Sequence, residues 1–335
     1  MIRKLFRTLA TFALLAALLA ALAAGYAAFR LARPYQGFAG EVYLDFPRGT
    51  SAGRIADMLM ESGVVSTRWD FLMARAFRRG RTLQAGEYRF DRPASPLEVF
   101  GRIARGDTFY FELVVPEGWN MFDIADAVGR LGLFRAQDFL AAARDPSLIR
   151  DLDPQAPTLE GYLFPDTYRL TRTTTPQGLC RQMTNKFREV WTGLHANASV
   201  HETVTMASLV EKESKLAEER PQVAAVFENR ARIGMKLDCD PTTIYAALLD
   251  HRYRGKIYRS DLASDNPYNT YRHVGLPPGP IASPGLVSIH AVLDPAASDA
   301  LYFVLRPDGS GAHEFSRTIA AHEAATARYR RGVRR

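Results

Sequence analysis

One carboxylate in this chain is placed where a side chain could act as a general acid. Ser199 and Glu202 have the spacing of a capping box, which predicts that a helix begins there. Glu213 lies on the apolar face of that helix, four residues after Leu209, whereas Glu211 falls on roughly the opposite side and is expected at the surface. A carboxyl group among apolar neighbours loses hydration, so its pKa rises and it keeps a proton near neutral pH. Such a group is a candidate general acid, although a solvated helix glutamate would have the same spacing.

Polar side chains after this helix supply the other members of a candidate site. Asp238 and Asp240 lie in one short loop, and Asp240 is either a substrate contact or the N-cap of the helix that follows Pro241. Residues 260–285 form a long segment with aromatic and amide side chains, and a loop of that length in a compact chain is usually functional. A carboxylic acid, nearby aspartates and aromatic loops are typical of a site that cleaves polysaccharides.

Composition and motifs exclude several other classes of protein. The sequence has no nucleophile elbow, no HExxH zinc motif and no phosphate-binding loop. Its seven histidines lack ligand spacing, so we expect neither a metal nor a cofactor. Cys180 and Cys239 also lack metal spacing, and they form either one disulfide or two free thiols. The net charge of +7 comes without a basic run interleaved with aromatics, which favours an acidic polymer or an anionic membrane surface over nucleic acid as the partner.

The N-terminal segment is long and apolar enough to cross a membrane. Residues 8–29 carry no charge, and a helix of that length spans a bilayer. Arg3, Lys4 and Arg7 precede it, which predicts a cytoplasmic N-terminus and an extracytoplasmic remainder. A cleaved signal peptide is the alternative, but the apolar run exceeds the usual signal core of about 7–15 residues. We therefore expect a single-pass anchor in the cytoplasmic (inner) membrane.

An internal repeat follows the N-terminal segment. Residues 42–74 match residues 111–143, and each copy shows an alternating strand, a Pro-x-Gly turn, an amphipathic helix and a second short helix. A further strand closes each copy, at 86–90 and at 167–170. The resulting strand–helix–helix–strand layout is similar to the LysM module, a small glycan-binding fold. The two units either bind glycan or serve as a spacer and packing platform for the C-terminal half.

The whole chain is predicted to be an α+β protein in which two LysM-like units precede a mixed α/β catalytic domain. The last helix is expected from about Thr318, and the basic C-terminus is expected to be solvated and disordered. The predicted segments are a cytoplasmic N-terminus and transmembrane anchor (1–30), a linker (31–40), the two LysM-like units (41–108 and 109–172), the catalytic domain (173–325) and a basic tail (326–335).

Several motifs stand in an order that is characteristic of one family. They are ASLVEKES (207–214), FENRARIGMKLDCDPTTIY (227–245), YNTYRHVGLPPGPIASPG (268–285) and LYFV (301–304), with PEGW (116–119) and LEGYLFPDTY (159–168) in agreement. Through these motifs the chain resembles the YceG-like family of endolytic murein transglycosylases (MltG), from about residue 41 to residue 325. The resemblance implies cleavage of the bond between N-acetylmuramic acid and N-acetylglucosamine inside peptidoglycan strands. The reaction uses no water and leaves 1,6-anhydro-muramic acid ends.

The resemblance also implies roles for particular residues and partners. It gives the catalytic role to Glu213, the residue that the helix pattern indicates independently. The residues predicted to line the substrate cleft are Asn229, Asp240, Tyr245, Asn269, Thr270 and Tyr271. The implied substrate is the nascent glycan strand, whose elongation would end at the cut, and the implied protein partners are cell-wall synthases of the penicillin-binding type.

Two other functions fit the same residues. A hydrolase acting on the same substrate would need a second carboxylate to activate water, and Asp238 and Asp240 are the nearby candidates. A non-catalytic glycan-binding scaffold for cell-wall synthases would need only the repeats. That scaffold would leave the position of Glu213 and the long polar loop unexplained.

Overall fold

The computed structural model describes residues 2–78 and 80–333, and for residues 2–5, 8 and 333 it describes the backbone alone. The predicted α+β class is confirmed. The described chain forms two compact units, one that ends at Tyr110 and one that begins at Phe111.

The first unit contains an antiparallel strand pair packed against helices. Its elements are α1 (Ile2–Ala32), β1 (Val42–Phe46), α2 (Ala52–Glu61), α3 (Arg68–Phe77), β2 (Gly86–Phe90) and α4 (Pro96–Arg105). β1 pairs with β2 in a register that places Val42 opposite Phe90 and Phe46 opposite Gly86. The strands and the inner faces of the helices share one apolar core, in which Phe71 and Tyr88 are fully buried.

The N-terminal helix is apolar, as predicted, and continues into the core of the first unit. Within α1, the stretch Leu9–Ala32 is long and apolar enough to cross a membrane. The orientation was predicted from Arg3, Lys4 and Arg7, and the side chains of Arg3 and Lys4 lie outside the described part of the chain. Leu31 is buried in the core of the unit, so the start of the predicted linker is helical and packed.

The second unit contains the second repeat and the predicted catalytic segment. Its strands and α-helices are β3 (Phe111–Val114), α5 (Met121–Leu131), α6 (Ala136–Ala143), β4 (Thr167–Leu170), α7 (Pro176–Leu194), α8 (Val200–Glu213), α9 (Arg220–Arg232), α10 (Asp240–Leu249), α11 (Arg259–Leu262), α12 (Leu286–Leu293), β5 (Tyr302–Leu305), β6 (His313–Ser316) and α13 (Ile319–Val333). β3 pairs with β4 and β5 pairs with β6, both antiparallel. Leu113, Leu170 and Phe187 belong to one core, so residues before and after position 172 are packed together.

The predicted repeat is visible in the order of the elements. β1–α2–α3–β2 and β3–α5–α6–β4 share one strand–helix–helix–strand order, and both closing strands have the predicted bounds. Gly49 and Gly118, in the two Pro-x-Gly turns, have φ angles of 87° and 77°. This left-handed conformation is accessible to glycine without strain, which explains the glycine at both turns.

The C-terminal end differs from the prediction. α13 continues to Val333, so the expected disorder of the basic tail is wrong for residues 328–333, whereas residues 334 and 335 lie outside the described residues. The helix packs against the β5–β6 hairpin and buries Ala325. Arg328 and Arg330 remain exposed, so their charges do not oppose this packing.

Candidate active site

Glu213 is the last residue of a buried helix. α8 begins at the predicted cap, where Ser199 Oγ accepts a hydrogen bond from the Glu202 N–H at 3.3 Å. Residues 203–210 are all buried, because α9 and α12 pack against this helix. Ser214 then leaves the helix in an extended conformation. The carboxyl of Glu213 therefore stands at the negative end of the helix dipole, where a neutral carboxylic acid is favoured over a carboxylate.

Glu213 lines a cavity of about 360 Å³ in the second unit. The walls come from the ends of α8 and α9, the loop that leads into α10, the loop before α12, and the β5–β6 hairpin with α13. The lining side chains are Glu213, Phe227, Arg230, Leu237, Asp238, Asp240, Tyr271, Tyr302, Phe303, Ile319 and His322. This volume lies in the range of about 300–1,000 Å³ that is usual for small-molecule sites.

A larger cavity, of about 510 Å³, lies at the other end of α8 between α8, α9 and α12. Its lining is mainly apolar, with Glu202 and Glu228 among its residues, and it does not include Glu213. Because the groups that could transfer a proton to a substrate gather around the smaller cavity, we take the smaller cavity as the candidate site.

The carboxyl of Glu213 holds its proton more tightly than an ordinary glutamate does. Burial raises its pKa to about 7, and the nearby negative charge of Asp240 acts in the same direction. A hydrogen bond with Cys239 and the positive charge of Arg230 lower the pKa and offset part of this effect. Near neutral pH both the acid and the carboxylate form of Glu213 are therefore populated. A group that first donates and then accepts a proton needs both forms.

Asp240 and Tyr271 are the two predicted substrate contacts that lie at this cavity. Asp240 is the first residue of α10 and Cys239 occupies the N-cap position, so the N-cap interpretation of Asp240 is wrong. Its Oδ1 accepts a hydrogen bond of 2.7 Å from the Tyr271 hydroxyl. Burial and this carboxylate both raise the pKa of Tyr271, so its hydroxyl remains a neutral donor.

Asn269 and Thr270 are buried and do not line the cavity. Asn269 Nδ2 donates to the backbone oxygens of Leu262 and Ser264 at 3.1 and 2.7 Å. Thr270 Oγ1 accepts from the Cys239 N–H at 3.0 Å. The Thr270 bond ties the loop that carries Tyr271 to the start of α10, and the Asn269 bonds tie it to the end of α11. The two residues therefore support the loop and do not face the cavity.

Asn229 and Tyr245 are also buried away from the cavity. Asn229 Nδ2 donates to the backbone oxygens of Ser298 and Ala300 at 2.9 and 3.0 Å, which fixes the segment before β5. The ring of Tyr245 lies 5.1 Å from the ring of Tyr268 within the core. Both side chains thus have partners inside the protein, as buried polar groups need.

Arg230, Tyr302 and His322 line the cavity, although sequence reasoning did not assign them to the site. Arg230 Nε donates to Leu301 O at 2.6 Å and Nη1 donates to Leu237 O at 2.9 Å. The guanidinium lies 5.2 Å from the ring centre of Tyr302, which in turn stacks on His322 at 5.2 Å. One feature of the sequence could have indicated Arg230, because it is a polar residue on an otherwise apolar helix. The other two reach the site only because the hairpin and α13 fold back against α9.

Glu211 is not the surface residue that the helix pattern predicts. Only 4% of its side chain is exposed, and its Oε1 lies 2.8 Å from Arg220 Nη2 in a buried ion pair. Its Oε2 accepts the Gly285 N–H at 3.0 Å. The prediction is wrong because the chain after α8 turns back and covers the face that an isolated helix would expose.

A second carboxyl with a raised pKa has no access to a polymer. Burial raises the pKa of Glu160 to about 7, and its Oε2 accepts the Met121 N–H at 2.9 Å. Glu160 is 1% exposed and interacts with the buried Tyr245. Glu213 combines a raised pKa with a place in an open cavity, whereas Glu160 belongs to the core.

Neither a metal centre nor a disulfide is formed by the described side chains. Within residues 2–78 and 80–333, no group of three or more His, Cys, Asp or Glu could hold a metal ion. Cys180 and Cys239 are both buried free thiols. Of the two alternatives for the cysteines, the structure contains the free thiols.

Comparison with known proteins shows the family. The family model described as the YceG-like family matches residues 44–328, so the chain belongs to the YceG-like family. It is 31% identical over 309 residues to the endolytic murein transglycosylase of Bacillus subtilis (strain 168), a match that covers 86% of this chain and 84% of that protein.

Two further comparisons agree. The endolytic murein transglycosylase of Streptococcus pneumoniae serotype 2 (strain D39) is 31% identical over 303 residues, which cover 78% of this chain and 54% of that longer protein. Among solved structures, the 2.6 Å crystal structure of a yceG-like protein from Listeria monocytogenes is similar with a TM-score of 0.54 and 31% identity. That match covers 85% of this chain and 98% of the Listeria chain.

Proposed function

We propose that this chain is a membrane-anchored lytic transglycosylase that cuts peptidoglycan strands internally, with Glu213 as its catalytic residue. The observation that carries the proposal is a carboxyl group with a pKa of about 7 that lines an open cavity. The names of the Bacillus and Streptococcus relatives support the same activity.

One carboxyl group is sufficient for this reaction. Glu213 donates its proton to the oxygen between N-acetylmuramic acid and N-acetylglucosamine, and the bond from that oxygen to C1 breaks. The C6 hydroxyl of the same muramoyl ring attacks C1, and the Glu213 carboxylate takes the hydroxyl proton. The products are a 1,6-anhydro-muramoyl end and a free hydroxyl on the leaving sugar, and Glu213 is protonated again without the use of water.

The neighbours of Glu213 fit the binding of a polar sugar. Tyr271 and Asp240 present a hydroxyl and a carboxylate beside it. Tyr302 and His322 offer a stacked aromatic surface in the same cavity, against which the apolar face of a sugar ring can pack. We assign Asp240 and Tyr271 to substrate contact, and Asn229, Tyr245, Asn269 and Thr270 to support of the loops that hold them.

The remaining parts of the proposal concern location and partners. The stretch Leu9–Ala32 anchors the chain in the inner membrane, with the N-terminus in the cytoplasm and the catalytic unit outside. The two strand–helix–helix–strand units act as LysM-like glycan contacts. Cleavage of nascent strands ends their elongation, and synthases of the penicillin-binding type supply those strands.

The proposed role of Glu213 is tested by two matched substitutions on α8. Glu213→Gln removes the transferable proton but keeps the shape, and we expect cleavage of purified peptidoglycan to fall by about 10²–10⁴-fold. Glu202→Gln makes the same chemical change at an exposed position in the first turn of the helix and should leave the rate unchanged. Retained cleavage in Glu213→Gln would contradict the assignment.

A hydrolase remains the second candidate because of Asp238. This residue lines the same cavity as Glu213, with 40% of its side chain exposed, and lies 3.8 Å from Arg230. A carboxylate there could activate water, which would give ordinary reducing ends instead of anhydro ends. If Asp238→Asn abolishes cleavage and the products carry reducing ends, the hydrolase replaces the transglycosylase. Glycan binding without any cleavage would favour the scaffold.

A further inference from the structure

The outward face of α3 has a composition that the proposed glycan chemistry does not use. On this helix Phe71 and Ala74 point into the core of the first unit. Trp69, Met73 and Phe77 follow at steps of four residues on another side, and Trp69 and Phe77 are 64% and 74% exposed. Two large exposed apolar side chains in one stripe on a ten-residue helix are unusual for a surface that faces only water.

Basic residues lie towards the C-terminal end of this helix. Arg75 lies in the last turn of α3, Arg78 directly follows the helix, and Arg81 comes shortly after. All three are exposed, and none of them forms an ion pair with any residue that the structure describes. A helix with exposed aromatic residues and free arginines at its end is typical of a segment that lies in the interface of an anionic bilayer.

The same helix is fixed to the end of the apolar N-terminal helix. Arg30 Nη2 lies 2.8 Å from both carboxylate oxygens of Asp70, the neighbour of Trp69. Leu31 is buried in the core, and Tyr35 exchanges two backbone hydrogen bonds with Ala94 at 3.1 and 3.2 Å. Direct contacts, and not a free linker, therefore join the apolar helix to the first unit. α3 consequently lies close to the point where α1 leaves the membrane.

A polar concavity lies beside that point. It has a volume of about 430 Å³, and its lining includes Arg30, Arg33 and Ser66. Arg33 is exposed and has no ion-pair partner among residues 2–78 and 80–333. Arginine next to the end of an apolar helix is placed to contact the phosphates of the surrounding lipids.

We propose that the outward face of α3, which exposes Trp69 and Phe77 and has Arg75, Arg78 and Arg81 towards its C-terminal end, rests on the anionic headgroups of the leaflet from which α1 emerges. The proposal depends on the membrane anchoring proposed above, and it is independent of the catalytic chemistry. Its consequence is that the first unit sits on the bilayer at a fixed angle and does not swing freely on a tether.

The test uses the full chain in phosphatidylglycerol nanodiscs whose acyl chains carry bromine, a quencher of tryptophan fluorescence that acts over short distances. The sequence has three tryptophans and α1 contains none, so Trp69→Phe isolates the signal of the first unit. The emission of the unchanged chain minus that of Trp69→Phe is the part that comes from Trp69. We expect this part of the emission to be much weaker in brominated lipid than in the same lipid without bromine. If that part of the emission is equal in both lipids, the proposal is wrong.

The charge requirement has its own readout. Hydrogen exchange of segment 68–81 should be slower in phosphatidylglycerol nanodiscs than in phosphatidylcholine nanodiscs, and Arg75→Gln/Arg78→Gln/Arg81→Gln should abolish the difference. Equal exchange in both lipids for the unchanged chain would overturn the role of the arginines.

Two controls separate surface contact from anchoring and catalysis. Co-elution of the chain with nanodiscs confirms anchoring in every sample, and peptidoglycan cleavage by Trp69→Phe should equal that of the unchanged chain. Co-elution, the lipid-contact measurements and cleavage therefore distinguish a failure of anchoring, of surface contact and of catalysis.

Discussion

At the residue scale, the proton on Glu213 is controlled by neighbours that act in opposite directions. Burial and the charge of Asp240 raise the pKa of Glu213, whereas the Cys239 thiol and Arg230 lower it. The helix end adds a further preference for the neutral acid. The value of about 7 results from this balance, so a change of one neighbour should move it in a direction that can be stated beforehand.

Asp240→Asn tests this balance through the pH dependence of cleavage. Removal of the negative charge favours the carboxylate form of Glu213, so the pKa of Glu213 falls and the acid form is lost at a lower pH. We expect the alkaline limb of kcat/KM to move to lower pH by about one unit or less, while the asparagine Oδ1 still accepts from Tyr271. Measurement of kcat/KM against pH provides the check.

Asp238→Asn is the matched control for this experiment. Asp238 lines the same cavity, but it is not among the groups that shift the pKa of Glu213. Its variant should keep the limb in place. A limb that moves to higher pH in Asp240→Asn, or moves equally in both variants, would contradict the electrostatic account of Glu213.

The sequence predicted the surroundings of Glu213 but not the orientation of the polar loop residues. Spacing places Glu213 on the apolar face of α8, and the structure shows the burial that this face predicts. For Asn269 and Thr270 the sequence shows polar residues in a loop, but it does not show whether the polar groups face a substrate or the backbone. The structure turns both toward backbone groups that would otherwise be buried without partners.

At the element scale, α8 is held by contacts on more than one side. α9 and α12 pack along it, and the Glu211–Arg220 ion pair joins its last turn to the first residue of α9. The Gly285 N–H adds the start of α12 to the same carboxylate. The end of the helix that carries Glu213 is therefore tied to two other chain segments through one buried side chain.

Arg220→Met tests the contribution of this ion pair to stability. The variant leaves the Glu211 carboxylate buried without its cation, so we expect the free energy of unfolding to fall by about 3–5 kcal/mol. Arg135→Met breaks an exposed pair, with 79% of the Arg135 side chain and 39% of the Asp138 side chain accessible, and should cost less than about 1 kcal/mol. Urea unfolding of both variants gives the comparison. Equal losses would show that burial of the Glu211 pair does not matter.

The error over Glu211 has a simple physical origin. A helical pattern assigns one face to the core and the other to water, and this holds for a helix at the surface. α8 is surrounded by other elements, so its second face is also buried and a charge on that face needs a partner. The partner, Arg220, comes nine residues later through a turn that the pattern does not describe.

At the scale of the whole molecule, the order of elements was predictable and the assembly of the site was not. The internal repeat predicted both strand pairs and their helices, because alternation and glycine turns are local signals. The cavity around Glu213 also needs the β5–β6 hairpin and α13, which lie about a hundred residues later in the chain. α13 was expected as a helix, but no local signal indicates that it carries His322 into the site.

The most direct test of the central claim is the mass of the fragments that the unchanged full chain releases from purified peptidoglycan. The account predicts fragments lighter by one water than reducing-end fragments, because the C6 hydroxyl replaces water as the attacking group at C1. The same fragments should be absent after treatment with Glu213→Gln. Fragments that carry ordinary reducing ends would contradict the account, since water would then have entered the reaction and Glu213 could not be the only carboxyl required.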